Sequence, residues 1–209
     1  PFTPMEEVVR AMNFVLDQGW AFYWGTSQWT SAEILEACEI ASKLGLVRPI
    51  VEQPVYNLLE RNKVEFEFVD LYKKYKLGLT TWSPLSSGIL TGKYSAGTPK
   101  GSRLEDPRMK VILPNSADLI AKAAKLQAIA KELDCPLALL AIAWCLTNAN
   151  VSTVLLGAKT PAQLEENLKA LAIVDKITPE VKAKMDELVP FVPNEPQPDK
   201  STMLRARHL

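Results

Sequence analysis

Hydrophobic and polar positions along this chain switch repeatedly between a helical and an extended period. Between Thr3 and Gly19 the apolar residues Val9, Met12 and Leu16 recur at helical spacing. Thr3 suits an N-cap with Glu6 closing a capping box, Pro4 suits the first helical position, and Gly19 marks the stop. The run "WAFYWG" that follows reads as a short buried strand ending at Gly25. The same order then returns. Thr30 and Glu33 form a second capping box, Ile34, Cys38, Ala41 and Leu44 make the stripe, and Gly45 stops the helix before the strand "PIVEQPVY" from Pro49. In "KVEFEFVDLYKKYKLG" the alternation resembles a strand, but Val64, Phe68, Leu71 and Tyr75 also suit a helix. A helix is expected, because a crossover must precede the next strand, "LGLTTWSPL".

The segment "SSGILTGKYSAGTPKGSRLEDPRMK" carries many glycines and serines and reads as a long loop, functional lid or disordered. "SADLIAKAAKLQAIAKELDC" is an amphipathic helix, and "PLALLAIAWCLTN", apolar almost all round, a buried one. A last strand, "VSTVLLG", leads into a helix capped by Thr160, with Pro161 at its first position and Gln163 closing the box. "TPEVKAKMDELV" is the final helix. The segment 190–209 holds too much proline and too little apolar surface to fold alone.

Apolar strands alternating with helices require a parallel sheet with helical crossovers, either doubly wound or closed as an eightfold barrel. No GxGxxG follows the first strand, which weakens the dinucleotide-binding doubly wound sheet. Polar residues gather just past each strand: Ser27 and Gln28, then Gln53, then Trp82 and Ser83, then Gly157 and Lys159. A barrel builds its active site from those loops, so the regularity favours the barrel and marks one rim as a ligand site.

Composition narrows the chemistry. With 47% hydrophobic and 23% charged residues over 209 positions, the chain is globular. A formal net charge of zero removes the bulk electrostatic case for nucleic acid or an anionic membrane. No apolar run approaches the ~20 residues of a membrane span, so direct membrane insertion is not expected. The three cysteines, Cys38, Cys135 and Cys145, have no CxxC spacing, and Cys38 and Cys145 lie within apolar helical patterns. Those two read as buried thiols, and a reducing cytoplasm is the expected home. The single histidine, His208, lies in the tail, which excludes a histidine triad or a histidine-ligated metal within this chain.

The motifs "YWGTSQWTSAEI", "VEQPVYN", "TTWSPLSSGILTGKY" and "VLLGAKTPAQLEEN" together resemble aldo-keto reductases, most closely the branch of voltage-gated potassium channel β-subunits. The resemblance runs in order to about Val189. It implies a (β/α)8 barrel binding NADP(H) without a Rossmann fold, with residues 1–189 as its C-terminal half. The catalytic tyrosine, its lysine and aspartate, and the histidine or asparagine of the fourth strand belong to the other half. Four strands cannot close a barrel that needs eight and typically ~250 residues. The chain is therefore expected to be a segment of a longer protein, inactive alone, or else to pair with another half.

The resemblance assigns cofactor-binding residues. Ser27 and Gln53 match the pair that holds the nicotinamide carboxamide. Gln28 stands where the channel branch carries arginine and most reductases asparagine. Trp82 matches the aromatic platform of the nicotinamide ring, and Ser83, Pro84, Leu85 and Ser86 the stretch that binds pyrophosphate. Lys93, Ser102 and Arg103 match a basic clamp. Gly157, Lys159, Gln163, Glu166 and Asn167 match the adenosine end, where a helix start and its free N–H groups would face an anion. Gln163 replaces an arginine common in the family, which lowers the expected preference for NADP over NAD.

Two functions follow from the resemblance. One is NADPH-dependent reduction of a small-molecule carbonyl, aldehyde or ketone, to an alcohol, with a tyrosine protonating the oxygen. The other is a cofactor-binding regulatory subunit of a voltage-gated potassium channel, with a channel partner or a homo-oligomer as its assembly.

Overall fold

The computed structural model describes residues 3–195. They fall into two compact units. The first takes in the chain through Pro54, Asn62–Thr80 and the stretch from Pro193. The second takes in Val55–Arg61 and Thr81–Val192.

In the first unit α1 (Met5–Asp17) leads to β1 (Gly25–Ser27), α2 (Ser31–Leu44) and β2 (Val51–Gln53). A π-helical turn (Lys63–Glu67) then runs into α3 (Val69–Tyr75) and β3 (Gly78–Thr81). The helix expected from the ambiguous segment is therefore present, and Val64, Phe68 and Leu71 are buried in it. Strands β1 and β2 are parallel in the register Gly25 with Val51, Thr26 with Glu52 and Ser27 with Gln53. β2 and β3 are parallel too, Val51 facing Gly78 and Glu52 facing Leu79. Between α1 and α2, Val9, Trp24, Ala37 and Ala41 form a core against which Met12, Leu16 and Leu46 pack. Asn13 is buried among them and fully used: its Nδ2 donates to the Val9 and Val47 carbonyls and its Oδ1 accepts from Val47 N–H. The chain after α2 is thereby fastened to α1.

Two expectations for this unit fail. No Thr3 capping box forms: the helix begins at Met5 with Pro4 as its N-cap, one residue too late for Thr3, and Glu6 pairs with Arg10 at 2.8 Å. The run 20–24 is not a buried strand. Trp20, Phe22 and Tyr23 are exposed, Phe22 at 91%, and only Trp24 turns inward, its Nε1 donating to the Val47 carbonyl. The ladder begins one residue later, at Gly25, for a steric reason. A Cβ there would lie 2.4 Å from Val51 Cγ1 and 2.6 Å from the Val51 carbonyl oxygen, so the strands meet closely only where the side chain is missing. Gly19 does end α1 in a left-handed conformation, with Trp20 N–H reaching the Val15 carbonyl.

In the second unit, α5 (Ser116–Glu132) and α6 (Leu137–Leu146) precede β4 (Val151–Val154) and α7 (Pro161–Leu168), and a 3-10 segment (Lys169–Lys176) leads to α8 (Pro179–Leu188). Eight of the ten α6 residues are buried, as their uniform apolarity requires. Beyond β4, Leu155 N–H donates to the carbonyl of Thr81, the last residue of β3. The long segment after β3 is more ordered than a bare loop. It holds 3-10 turns at Ser86–Thr91 and Arg103–Glu105 and the short helix α4 (Met109–Ile112). Tyr94, 3% exposed, ties the two 3-10 turns: its hydroxyl donates to Ser87 O at 3.5 Å and accepts from Leu104 N–H at 3.4 Å. Of the proline-rich segment 190–209, residues beyond 195 lie outside the described range, His208 among them.

Candidate functional site

In the first unit the expected polar residues sit at the carboxyl ends of β1 and β2. Ser27 and Gln53 face each other in register, and the Ser27 hydroxyl donates to the Gln53 carbonyl at 3.0 Å. Gln28 follows with φ +61°, a left-handed backbone unusual for a side chain of its size. Its carbonyl and that of Trp29 both accept from Lys63 Nζ, at 3.1 and 2.6 Å. The helix behind this turn starts as its sequence demands. Thr30 and Glu33 complete the capping box, and Ser31 N–H donates to Glu67 at 2.7 Å.

Behind the Ser27–Gln53 pair lies a residue the sequence reading did not single out. Glu52 is fully buried, and Thr26 Oγ1 donates a short hydrogen bond to its Oε2. Burial pushes the carboxyl up to about 7. The Thr26 bond, the Lys63 charge and the nearby N–H groups of Gln28 and Trp29 oppose that rise. Oε1 accepts no hydrogen bond of ordinary geometry. The available signal was an acid in the middle of "IVEQPV", a strand otherwise apolar up to its end.

In the second unit Trp82 directly follows β3 with 38% of its surface exposed, an unusual posture for so large an apolar side chain. The chain after it is strained. Ser83, Ser86 and Ser87 take φ of +57°, +46° and +57°, and Gly88 +90°. Three serines in left-handed backbone within five residues fit a functional turn better than a stabilising one. Asn57, also missed, holds this turn: it is buried, its Nδ2 donates to Ser83 O at 3.0 Å, and its Oδ1 accepts from the N–H groups of Leu59 and Glu60. Pro84 and Ser86 are buried and Leu85 is half-buried. Lys93 is exposed, its ammonium 5.1 Å from the Tyr94 ring centre. Ser102 Oγ is buried without a hydrogen-bond partner, next to exposed Arg103.

At the start of α7 the geometry differs from expectation. Thr160 caps the helix by accepting from Gln163 N–H, but the Gln163 side chain accepts from Lys159 N–H at 2.8 Å and not from Thr160. Two N–H groups expected to be free are thus already bonded within the turn. Glu166 is paired with Lys169 at 2.5 Å, and Asn167 is half-buried. Gly157 and Lys159 are exposed.

Residues 1–190 match the model of the aldo/keto reductase family. A probable voltage-gated potassium channel subunit beta of Arabidopsis thaliana is 50% identical over 198 residues, covering 93% of this chain and 60% of that protein. A protein of the same description from Oryza sativa subsp. japonica is 53% identical over 194 residues, covering 91% and 59%. A putative voltage-gated potassium channel subunit beta of Schizosaccharomyces pombe is 44% identical over 201 residues, covering 94% and 58%. The chain thus spans about 60% of the length of these relatives. On a family match that runs nearly end to end, with parallel strands and helical crossovers in the coordinates, the chain belongs to the aldo/keto reductase family, whose fold is the (β/α)8 barrel.

Proposed function

We propose that this chain supplies the dinucleotide-holding residues of an NADPH-dependent oxidoreductase that reduces aldehydes or ketones to alcohols. The observation that carries the reading is Trp82: a large aromatic left exposed at a strand end, followed by three left-handed serines. An exposed indole offers a flat apolar face for a planar ring, and the serine turn offers hydroxyls and backbone N–H groups for phosphate oxygens. The orphaned, buried Ser102 Oγ beside Arg103 fits the same assignment, since it is a polar atom in want of a partner.

When bound, NADPH supplies the hydride that the carbonyl carbon receives. This chain's residues bind and orient. Ser27 and Gln53 hold the carboxamide and so fix which ring face is offered, with Gln28 at the edge of that contact. Trp82 supports the ring, and Ser83, Pro84, Leu85 and Ser86 carry the pyrophosphate. Lys93, Ser102 and Arg103 close over it, while Gly157, Lys159, Gln163, Glu166 and Asn167 take the adenosine end. Fluorescence tests the reading: NADPH quenches tryptophan emission in the protein that carries this chain, and Trp82→Ala removes most of the quench. An undiminished quench in the variant overturns the assignment.

The names of the relatives favour a second reading, a cofactor-binding β-subunit of a voltage-gated potassium channel. Among the described residues no helix is long and apolar enough to cross a membrane, so such a role would be that of a docked partner. Co-purification with a channel from a native membrane, against turnover of carbonyl substrates by the isolated protein, separates the two.

A further inference from the structure

We propose that Glu52 is a positioning residue for the cofactor. With Thr26 and Lys63 it fixes the Gln28–Trp29 turn from behind, and so sets the hydrogen-bonding edge that Ser27 and Gln53 present to the nicotinamide carboxamide. The proposal rests on the cofactor reading above.

Three observations carry it. First, the register places Thr26 opposite Glu52 and Ser27 opposite Gln53. Successive strand residues point to opposite faces, so the Thr26–Glu52 pair lies directly behind the pair assigned to the carboxamide. Second, the turn's backbone is held through its carbonyls, with the carboxyl close to its N–H groups. Lys63 Nζ takes the Gln28 and Trp29 carbonyls at 3.1 and 2.6 Å, while the N–H groups of the same two residues lie beside the Glu52 carboxyl. Gln28 is thereby kept in a left-handed conformation that its side chain disfavours. Third, stability alone does not account for a carboxyl here. Glu52 is 0% exposed, and an apolar side chain of similar volume would avoid the desolvation cost that a buried carboxyl carries. A carboxyl held in spite of that cost is one that organises polar backbone.

The test separates this role from a merely structural one by using two ligands. In the protein that carries this chain, the dissociation constants of NADPH and of 2′,5′-ADP, which lacks the nicotinamide, are measured for the unmodified protein and for Glu52→Leu, Glu52→Gln and Thr26→Val. The expected result is that Glu52→Leu weakens NADPH about tenfold, the loss of one hydrogen bond to a positioned group, and leaves 2′,5′-ADP unchanged. Glu52→Gln, which keeps the accepting oxygen, restores most of the NADPH affinity. Thr26→Val weakens NADPH less, with the same selectivity, and provides the answer if Glu52→Leu does not fold. Equal loss of both ligands, or unchanged NADPH affinity in both Glu52→Leu and Thr26→Val, overturns the positioning role while leaving the cofactor reading intact. Failure of the unmodified protein to bind either ligand overturns the cofactor reading, and the positioning role with it.

Discussion

Thr26 and Glu52 face each other in register across β1 and β2, and the threonine hydroxyl donates to a carboxyl that no solvent reaches. Burial dominates the carboxyl's behaviour, holding it near 7 against an ordinary value of 4.5. The folded protein therefore binds a proton between those pH values that the unfolded chain has released. The stabilising contribution of the neutral carboxyl is complete below about pH 4.5. It is lost as pH rises through 7. Glu52→Gln, which stays neutral, is expected to gain on the unmodified protein between pH 5 and pH 8. The gain is at most about 3 kcal/mol, from 1.36 kcal/mol per pKa unit. Chemical denaturation at the two pH values measures it, and an identical difference at both contradicts it.

Gly25 is where the β1–β2 ladder starts because nothing larger fits against Val51. Gly25→Ala is expected to cost about 1–3 kcal/mol, the range for overpacking a close contact. Thermal unfolding of the variant reads this directly, and an unchanged melting temperature would show that β1 shifts freely.

Asn57 ties the strained Ser83 turn to the chain after β2. Asn57→Ala leaves the Ser83 carbonyl and two N–H groups without this partner, at about 1–3 kcal/mol for a buried group left unsatisfied. Because the turn holds phosphate in the proposed function, NADPH affinity should fall as well. Retained stability with retained affinity would remove Asn57 from both roles.

These three residues also mark how far the sequence was legible. Period and caps located the helices well: the Thr30–Glu33 box, the Gly19 and Gly45 stops and the all-apolar α6 are each local signals, and each is realised. Strand positions were less legible, because aromatic content said strand at 20–24 while close approach at Gly25 decided where pairing begins. The exposed polar rim followed from alternation and resemblance. Glu52, Asn57 and Tyr94 did not, since their importance lies in partners 26, 26 and 10 residues away, which a local pattern does not encode. Gln163 shows the same limit at short range: a capping box was expected, and the side chain bonds Lys159 N–H instead.

The adenosine end yields a selectivity prediction. The 2′-phosphate adds charge at the adenosine end, and the proposed function offers two exposed cations to meet it, Lys159 and, from the basic clamp, Arg103. One charge-assisted hydrogen bond contributes about 1.5–3 kcal/mol, which corresponds to a roughly tenfold to hundredfold preference for NADPH over NADH. With Gln163 engaged by Lys159 N–H, the lower end is expected. Lys159→Glu combined with Arg103→Glu should weaken NADPH far more than NADH. Equal losses would show that these residues do not read the 2′-phosphate.

The most direct test of the account is calorimetric titration of NADPH into the protein that carries this chain, alongside its Trp82→Ala variant. Saturable binding of one NADPH per protein is expected, weakened in the variant because the ring loses its exposed aromatic support. Absence of binding to the unmodified protein, or equal affinity in the two, would contradict the claim that Trp82 and the serine turn after it hold a dinucleotide.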